Sequence, residues 1–319
     1  MRRLYISFAL LLSMLTAEAQ YGLRVWKDGK SVLFPIANVD SIRFVRPVTD
    51  IYFSDDVVEL KEGETRQLTV SVLPVDADSK GLTWSSSTPS VASVDAQGFV
   101  TAVSIGTSLI TVAATDDSGV KAECEVTVKR LCPDDHHPHA IDLGLPSGTK
   151  WCCCNVGAST PEGYGGYYAW GETSEKSAYN WDAYAYYNKD TGYVNIGSDI
   201  AGTSYDVATV LMGAPWRMPS AELLLEFVNY CSRQWTMLNG VNGILVTGLN
   251  GAQIFLPAAG YQWIDDLEGA GSYGYYWSSS LYPSHDGKAY GLYIGPIEWY
   301  WSNKASRGCG RSVRAVCGD

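Results

Sequence analysis

The chain has 319 residues, with 23 basic against 34 acidic side chains and a formal charge of −11. That balance excludes a nucleic-acid partner, whose phosphates need a basic footprint. Only 18% of residues are charged, while 32 are glycine and 21 are tyrosine, a mixture that suits mostly β modules, and the length accommodates two or three domains.

Residues 1–19 read as a secretory signal peptide. Arg2 and Arg3 form the positive start, residues 8–15 an apolar run, and Ala17-Glu18-Ala19 a cleavage site. Export to the cell surface or the extracellular space is therefore expected. No later stretch approaches the roughly 20 apolar residues that cross a bilayer, and no cysteine close to the cleavage site suggests a lipid anchor. Residues 20–47 form a short β segment: strands at 23–26 and 31–36 flank Lys27-Asp28-Gly29-Lys30, a hairpin signal, and a third is expected at 41–45.

Residues 48–129 alternate short β-rich runs (51–53, 57–60, 67–72, 82–85, 91–94, 100–103, 108–113 and 124–128) with turn signals such as Glu62-Gly63-Glu64 and Gln97-Gly98. That spacing predicts an Ig-like β-sandwich. The elements Leu60-Lys-Glu-Gly63-Glu-Thr65, Leu82-Thr-Trp84, Val91-Ala92-Ser-Val94-Asp95, Gly98-Phe-Val100-Thr-Ala102 and Gly106-Thr107 resemble the bacterial Ig-like domain, group 2. The resemblance implies a spacer or adhesive unit without catalytic residues.

Residues 130–140 read as a polar linker. Three of the four histidines, His136, His137 and His139, lie there with Cys132, Asp134 and Asp135. All are zinc-ligating types, but their spacing fits no standard motif, so a solvated linker is expected. The eight cysteines (124, 132, 152, 153, 154, 231, 309 and 317) could form disulfides in an exported chain, although sequence leaves the pairing open. Cys152, Cys153 and Cys154 cannot share one partner, because strand neighbours face opposite ways.

Residues 141–319 are expected to form an α+β domain with one main helix. Short strands flank Pro146-Ser147-Gly148, and a Tyr- and Gly-rich irregular region follows from 156 to about 203. The helix covers 221–231, where Leu224, Phe227, Val228 and Cys231 recur with helical period behind Ser220 as N-cap. Strands are expected at 243–247, 252–256, 275–280, 289–294, 298–302 and 312–316. The motifs Leu143-Gly-Leu-Pro-Ser-Gly-Thr-Lys-Trp151, Tyr167-Tyr-Ala-Trp170-Gly-Glu-Thr173, Trp216-Arg217-Met-Pro219, Phe255-Leu-Pro257-Ala-Ala-Gly260-Tyr261 and Tyr276-Trp277-Ser-Ser-Ser280 resemble the Fibrobacter succinogenes major paralogous domain. That family is similar to the C-type-lectin-like domains of some bacterial adhesins, so the resemblance implies a C-type-lectin-like recognition head. The calcium-and-sugar tripeptides of true C-type lectins, Glu-Pro-Asn and Trp-Asn-Asp, are absent, so no cofactor is expected; calcium at Asp265-Asp266 is unsupported.

The stretch 258–280 organises this region, reading as a long loop of glycines, rings and carboxylates between strands. Rings stack on apolar sugar faces and carboxylates accept from hydroxyls, which makes Trp263, Asp265, Asp266, Tyr273, Tyr275, Trp299 and Trp301 the candidate ligand contacts. In the strand at 298–302, Trp299 and Trp301 point to one face and Tyr300 to the other. The Ser278–Ser280 cluster has no G-x-S-x-G elbow or positioned histidine, no carboxylate pair is recognisable, and no metalloprotease helix or phosphate loop is present. The sequence thus points away from an enzyme, toward an adhesin-type surface protein that binds a glycan or a host or matrix protein without covalent chemistry. The alternative is a structural subunit of a fimbria or matrix.

Overall fold

The computed structural model describes residues 22–27, 29–35, 45–132, 134 and 136–318. The expected signal peptide at 1–19, Asp28 of the expected turn, and residues 41–44 of the strand expected at 41–45 lie outside them. Strand β1 (Gly22–Lys27) pairs antiparallel with β2 (Lys30–Pro35). Among the described residues no helix is long and apolar enough to cross a membrane.

Nine strands follow: β3 (Asp50–Phe53), β4 (Val57–Lys61), β5 (Thr65–Gln67), β6 (Val70–Leu73), β7 (Leu82–Ser86), β8 (Ala92–Val94), β9 (Phe99–Ala102), β10 (Gly106–Ala114) and β11 (Lys121–Lys129). A four-stranded sheet of order β4-β11-β10-β7 faces the pairs and triplet β3-β6 and β5-β9-β8. Period-two alternation turns Ile110, Val112, Cys124, Val126 and Val128 inward, where they meet Val58, Leu60, Val100 and Ala102. The run at 67–72, expected as one strand, is two. Leu68 is buried between them, and β5 pairs with β9 whereas β6 pairs with β3, so the chain changes sheets there.

The remaining chain is mostly β with two helices. Its strands are β12 (Ala140–Asp142), β13 (Lys150–Asn155), β14 (Tyr187–Asn188), β15 (Gly192–Tyr193), β16 (Ser232–Leu238), β17 (Val241–Thr247), β18 (Gln253–Pro257), β19 (Tyr261–Trp263), β20 (Asp266–Glu268), β21 (Gly274–Leu281), β22 (Lys288–Ile294), β23 (Trp299–Ser306) and β24 (Arg314–Cys317). They form three-stranded sheets β12-β13-β24, β16-β17-β18 and β21-β22-β23, with hairpins β14-β15 and β19-β20. Helix α2 (Ala221–Tyr230) begins where Ser220 accepts the Leu223 amide. It buries Leu224 and Phe227, and Phe227 stacks on Trp151 of β13 at 4.1 Å between centroids.

Three further findings differ from the sequence expectation. The stretch 258–280 is not one loop, because the β19-β20 hairpin forms inside it. Strand β16 was not expected, although it closes on β17 through Asn239 (φ 47) and Gly240 (φ 83), the left-handed pair that an Asn-Gly turn supplies. Helix α1 (Val207–Met212) lies just beyond the expected irregular region. Asp206 fixes it: one carboxylate oxygen accepts from the Ala208 and Thr209 amides, the other from Gly202 and Met218. All eight cysteines are unpaired, so no disulfide staples the region.

Buried cations are instead held by carbonyls. Arg314 of β24 is 1% exposed. It donates to Cys152 O (2.9 Å), Cys153 O (2.6 Å), Phe255 O (2.8 Å) and Asn155 Oδ1 (2.9 Å). The first two acceptors lie where the β13-β24 register shifts between Trp151 and Asn155, so the guanidinium fills a gap in the ladder. The Ig-like sandwich rests on the β16-β17-β18 sheet. Gln253 Nε2 donates to Glu64 (2.9 Å), Gln234 bonds Thr65, and Leu131 joins Leu238, Leu245 and Phe255 in one buried cluster.

Candidate functional site

On one face of the β21-β22-β23 sheet, Tyr275, Tyr293 and Tyr300 are direct cross-strand neighbours. Their rings lie 5.2 Å and 4.9 Å apart, the second pair stacked, within the range where aromatic pairs attract. Tyr273 and Tyr261 flank the row at 5.6 Å and 5.3 Å from Tyr275. All five rings are half-buried. Gly269 makes room for Tyr273: its φ is +70, and an added Cβ would fall 2.0 Å from that ring.

Beneath the row sits Arg311, 5% exposed, with its guanidinium 4.6 Å from the ring centres of both Tyr275 and Trp277. Nη1 donates to Asn303 Oδ1 at 2.8 Å. Burial lowers its pKa to about 10, so it stays cationic at neutral pH. Burial likewise pushes the Tyr275 phenol to about 12 and raises those of Tyr261 and Tyr293. Tyr261, Tyr275 and Tyr293 therefore present neutral hydroxyls at neutral pH, with a cation against the Tyr275 ring from below.

Four buried tyrosines elsewhere in this region have a different economy. Tyr276, Tyr167, Tyr179 and Tyr184 are buried, and each donates its hydroxyl to a main-chain carbonyl: Pro257, Ala259, Tyr167 and Trp170 respectively. In the row, the hydroxyls of Tyr273, Tyr275 and Tyr293 make no hydrogen bond among the described residues. Tyr261 reaches Glu268 at 3.4 Å and Tyr300 accepts from Asn303 at 3.5 Å, both long. Spent hydroxyls belong to the framework, and unspent ones on a surface are available to a ligand.

The residues singled out from sequence fall in three places. Tyr273 and Tyr275 belong to the row. Trp263 ends β19 and packs edge-on against Trp181 at 6.2 Å, with Asp265 and Asp266 exposed at the hairpin turn beside it. Trp299 and Trp301 occupy the opposite face of the sheet. Trp299 lies 5.5 Å from Phe227 of α2, and both tryptophans pack against the cluster of Leu224, Ile294 and Trp151. The seven residues thus do not form one site, because β23 turns its tryptophans toward the helix and only Tyr300 toward the row. Tyr261, Tyr293 and Tyr300 were missed, although Tyr293 and Tyr300 alternate with inward apolar residues at period two. Trp301 does line a cleft of about 500 Å³ on its own side, together with Asp199, Glu222, Ser280 and Tyr290. The metal-ligating side chains that converge lie away from both, around residues 132–153.

Residues 47–126 match the bacterial Ig-like domain, group 2. This is a non-catalytic family. A stretch of 83 residues is 41% identical to an uncharacterized protein of Clostridium acetobutylicum, taking in 26% of this chain and 9% of that one. Another of 72 residues is 54% identical to an alpha-L-arabinofuranosidase of Bifidobacterium longum subsp. longum, taking in 23% of this chain and 7% of that enzyme. The chain therefore spans less than a tenth of these relatives, and the match to the enzyme covers an accessory domain alone. Among solved structures, domains 4 and 5 of the S-layer protein SbsC align at 15% identity and a TM-score of 0.23, over 34% of this chain and 56% of that one.

Proposed function

We propose that the protein is displayed at the cell surface or secreted, and that its C-terminal region binds a neutral glycan non-covalently on the tyrosine row. Residues 47–126 act as the spacer, and residues 141–319 are the C-type-lectin-like head that their motifs resemble. The carrying observation is the row itself: Tyr275, Tyr293 and Tyr300 in register, with the hydroxyls of Tyr275 and Tyr293 unspent. A sugar offers apolar C–H faces and many hydroxyls, which stacked phenols complement in both respects. The kinship of the spacer to an accessory domain of an arabinofuranosidase agrees with a carbohydrate setting. Tyr273 and Tyr275 are contacts in this reading, with Trp263, Asp265 and Asp266 on the neighbouring hairpin able to touch a longer chain. Trp299 and Trp301 are assigned to the fold.

The test is a glycan and mucin array probed with the full chain, then with Tyr275→Ala/Tyr293→Ala and with Trp301→Ala. Each stacked ring is worth about 0.5–1.5 kcal/mol, so the double variant should bind roughly 5- to 150-fold more weakly, and Trp301→Ala should bind as the parent does. Loss confined to Trp301→Ala would move the site to the cleft beside α2. Silence of the folded parent on every glycan would refute the glycan reading in favour of a protein partner.

A further inference from the structure

We propose that Cys132, His137, His139 and Cys153 bind a zinc ion that staples the linker to strand β13. Three of the four come from the linker between the Ig-like sandwich and β12, and the fourth from the middle of β13. Their ligand atoms all lie within 4.8 Å of one another. The Nδ1 atoms of His137 and His139 stand 3.2 Å and 3.6 Å from Cys153 Sγ. Zinc with bonds of about 2.3 Å to sulfur and about 2.0–2.1 Å to nitrogen holds tetrahedral ligands roughly 3.3–3.8 Å apart, so these atoms need little movement to close on an ion.

The surroundings supply what such a site requires beyond its ligands. Nε2 of His139 faces Asp134 Oδ1 at 3.1 Å. A proton on that nitrogen leaves Nδ1 with its lone pair toward the cluster, the carboxylate–histidine arrangement common around zinc. The main-chain amide of His139 points at Cys153 Sγ at 3.0 Å, as amides do toward bound thiolates.

Four protein ligands leave no position open for water or substrate, so the ion is structural rather than catalytic. Its role follows from position. Glu62 of the sandwich accepts the amide of Leu131, next to Cys132, and Cys153 lies beside the carbonyls that hold Arg314. An ion here fixes the exit of the sandwich against the central strand of the β12-β13-β24 sheet, in a region without disulfides.

The test uses the full chain carrying no polyhistidine tag, isolated from its own compartment and dialysed exhaustively. Elemental analysis should find about one zinc per chain in the parent and in Cys231→Ser, a remote thiol, and a small fraction of that in Cys153→Ser and His139→Gln. Cobalt substituted for zinc should give thiolate charge-transfer and tetrahedral visible bands, both lost in Cys132→Ser. Asp134→Ala should weaken zinc binding about 10–100-fold while keeping the cobalt spectrum, as expected for a partner outside the ligand set. Chelator should open the linker to protease in the parent and change nothing in Cys153→Ser. A folded, reduced chain that retains no metal would overturn the proposal. So would a Cys132–Cys153 disulfide in the peptide map, or zinc retained undiminished by both ligand variants.

Discussion

Arg314→Met tests whether a buried cation held only by carbonyls stabilises this fold. The parent guanidinium makes four hydrogen bonds of 2.6–2.9 Å. Bonds from a charged donor contribute about 1.5–3 kcal/mol each, but burying the charge costs several kcal/mol, and methionine recovers much of the volume. The carbonyls of Cys152 and Cys153 decide the sign. They sit where the β13-β24 ladder slips register, so without Arg314 they face no strand donor, and orphaned buried acceptors cost about 1–3 kcal/mol each. We expect a net destabilisation of about 3–5 kcal/mol, which lowers the melting temperature of this region by roughly 10 °C. Urea unfolding followed by tryptophan fluorescence is a suitable assay, because nine of the eleven tryptophans lie beyond residue 140. The midpoint should fall without a change in m-value. Arg314→Lys, one ammonium in place of a fork, should lie between the two. A loss below about 1 kcal/mol for methionine would show that the slipped carbonyls find other partners, and the argument would fail.

The remaining expectations are narrower. Asp206→Ala frees four main-chain amides around α1 and should cost about 3–5 kcal/mol; Asp206→Asn should recover part of that in the same urea assay. Gly269→Ala forces a left-handed alanine against the Tyr273 ring. It should cost about 1–3 kcal/mol and change the near-ultraviolet circular dichroism of the tyrosines; unchanged dichroism would contradict the packing. Tyr276→Phe removes one of two donors to the Pro257 carbonyl, which keeps the Ala259 amide, and should lose about 0.5–1.5 kcal/mol, whereas Tyr293→Phe should stay within about 0.5 kcal/mol of the parent. Asp116 of the sandwich is held below its usual 3.8 by hydrogen bonds with Ser118 and the Val48 amide. Its folded pKa is depressed, so its stabilisation is present above 3.8 and is lost as pH falls through the lower folded value. Asp116→Asn should therefore flatten the acid limb of the sandwich's unfolding curve, and an unchanged limb would assign the acid sensitivity elsewhere.

The sandwich was legible in the sequence because its longer strands alternate, as β4, β10 and β11 do, and turn residues separate them; the change of sheet at Leu68, between two short strands without alternation, was not. The C-terminal region was legible in its helix and its sheet-forming runs, and opaque where local signals were weak or overlooked. Helix α1 has only six residues, too few for a period to emerge, and its cap binds residues on both sides. The Asn239-Gly240 turn was a readable hairpin signal, and recognising it would have found β16. The linker histidines matched no metal motif because the fourth ligand, Cys153, comes from a strand sixteen residues past His137, and only tertiary structure brings it in. The triple cysteine run misled as well: simple alternation would part the three sulfurs, but the register slips between Trp151 and Asn155, and Cys154 Sγ lies 3.4 Å from Cys153 Sγ in a core cluster shared with Cys152.

The same alternation explains why ring-rich composition alone could not locate the site. Trp299, Tyr300 and Trp301 are consecutive and differ in fate only by parity. The two tryptophans, large and nearly apolar, cover α2; the tyrosine between them, with a hydroxyl to hydrate, takes the wetter face beside Tyr293. Sequence fixes that they part, but which side is core depends on where the helix docks. Once Phe227 stacks on Trp151 and lies against Trp299, the opposite face must be the one that meets water. Arg311 then has a reason to be buried under tyrosines rather than paired with a carboxylate. An acid at that position would neutralise the cation and bring a second charge into the interior. Two π faces at 4.6 Å stabilise it while leaving its field to act through Tyr275 on whatever the row holds. Removing the cation should therefore weaken binding even where the rings stay in place.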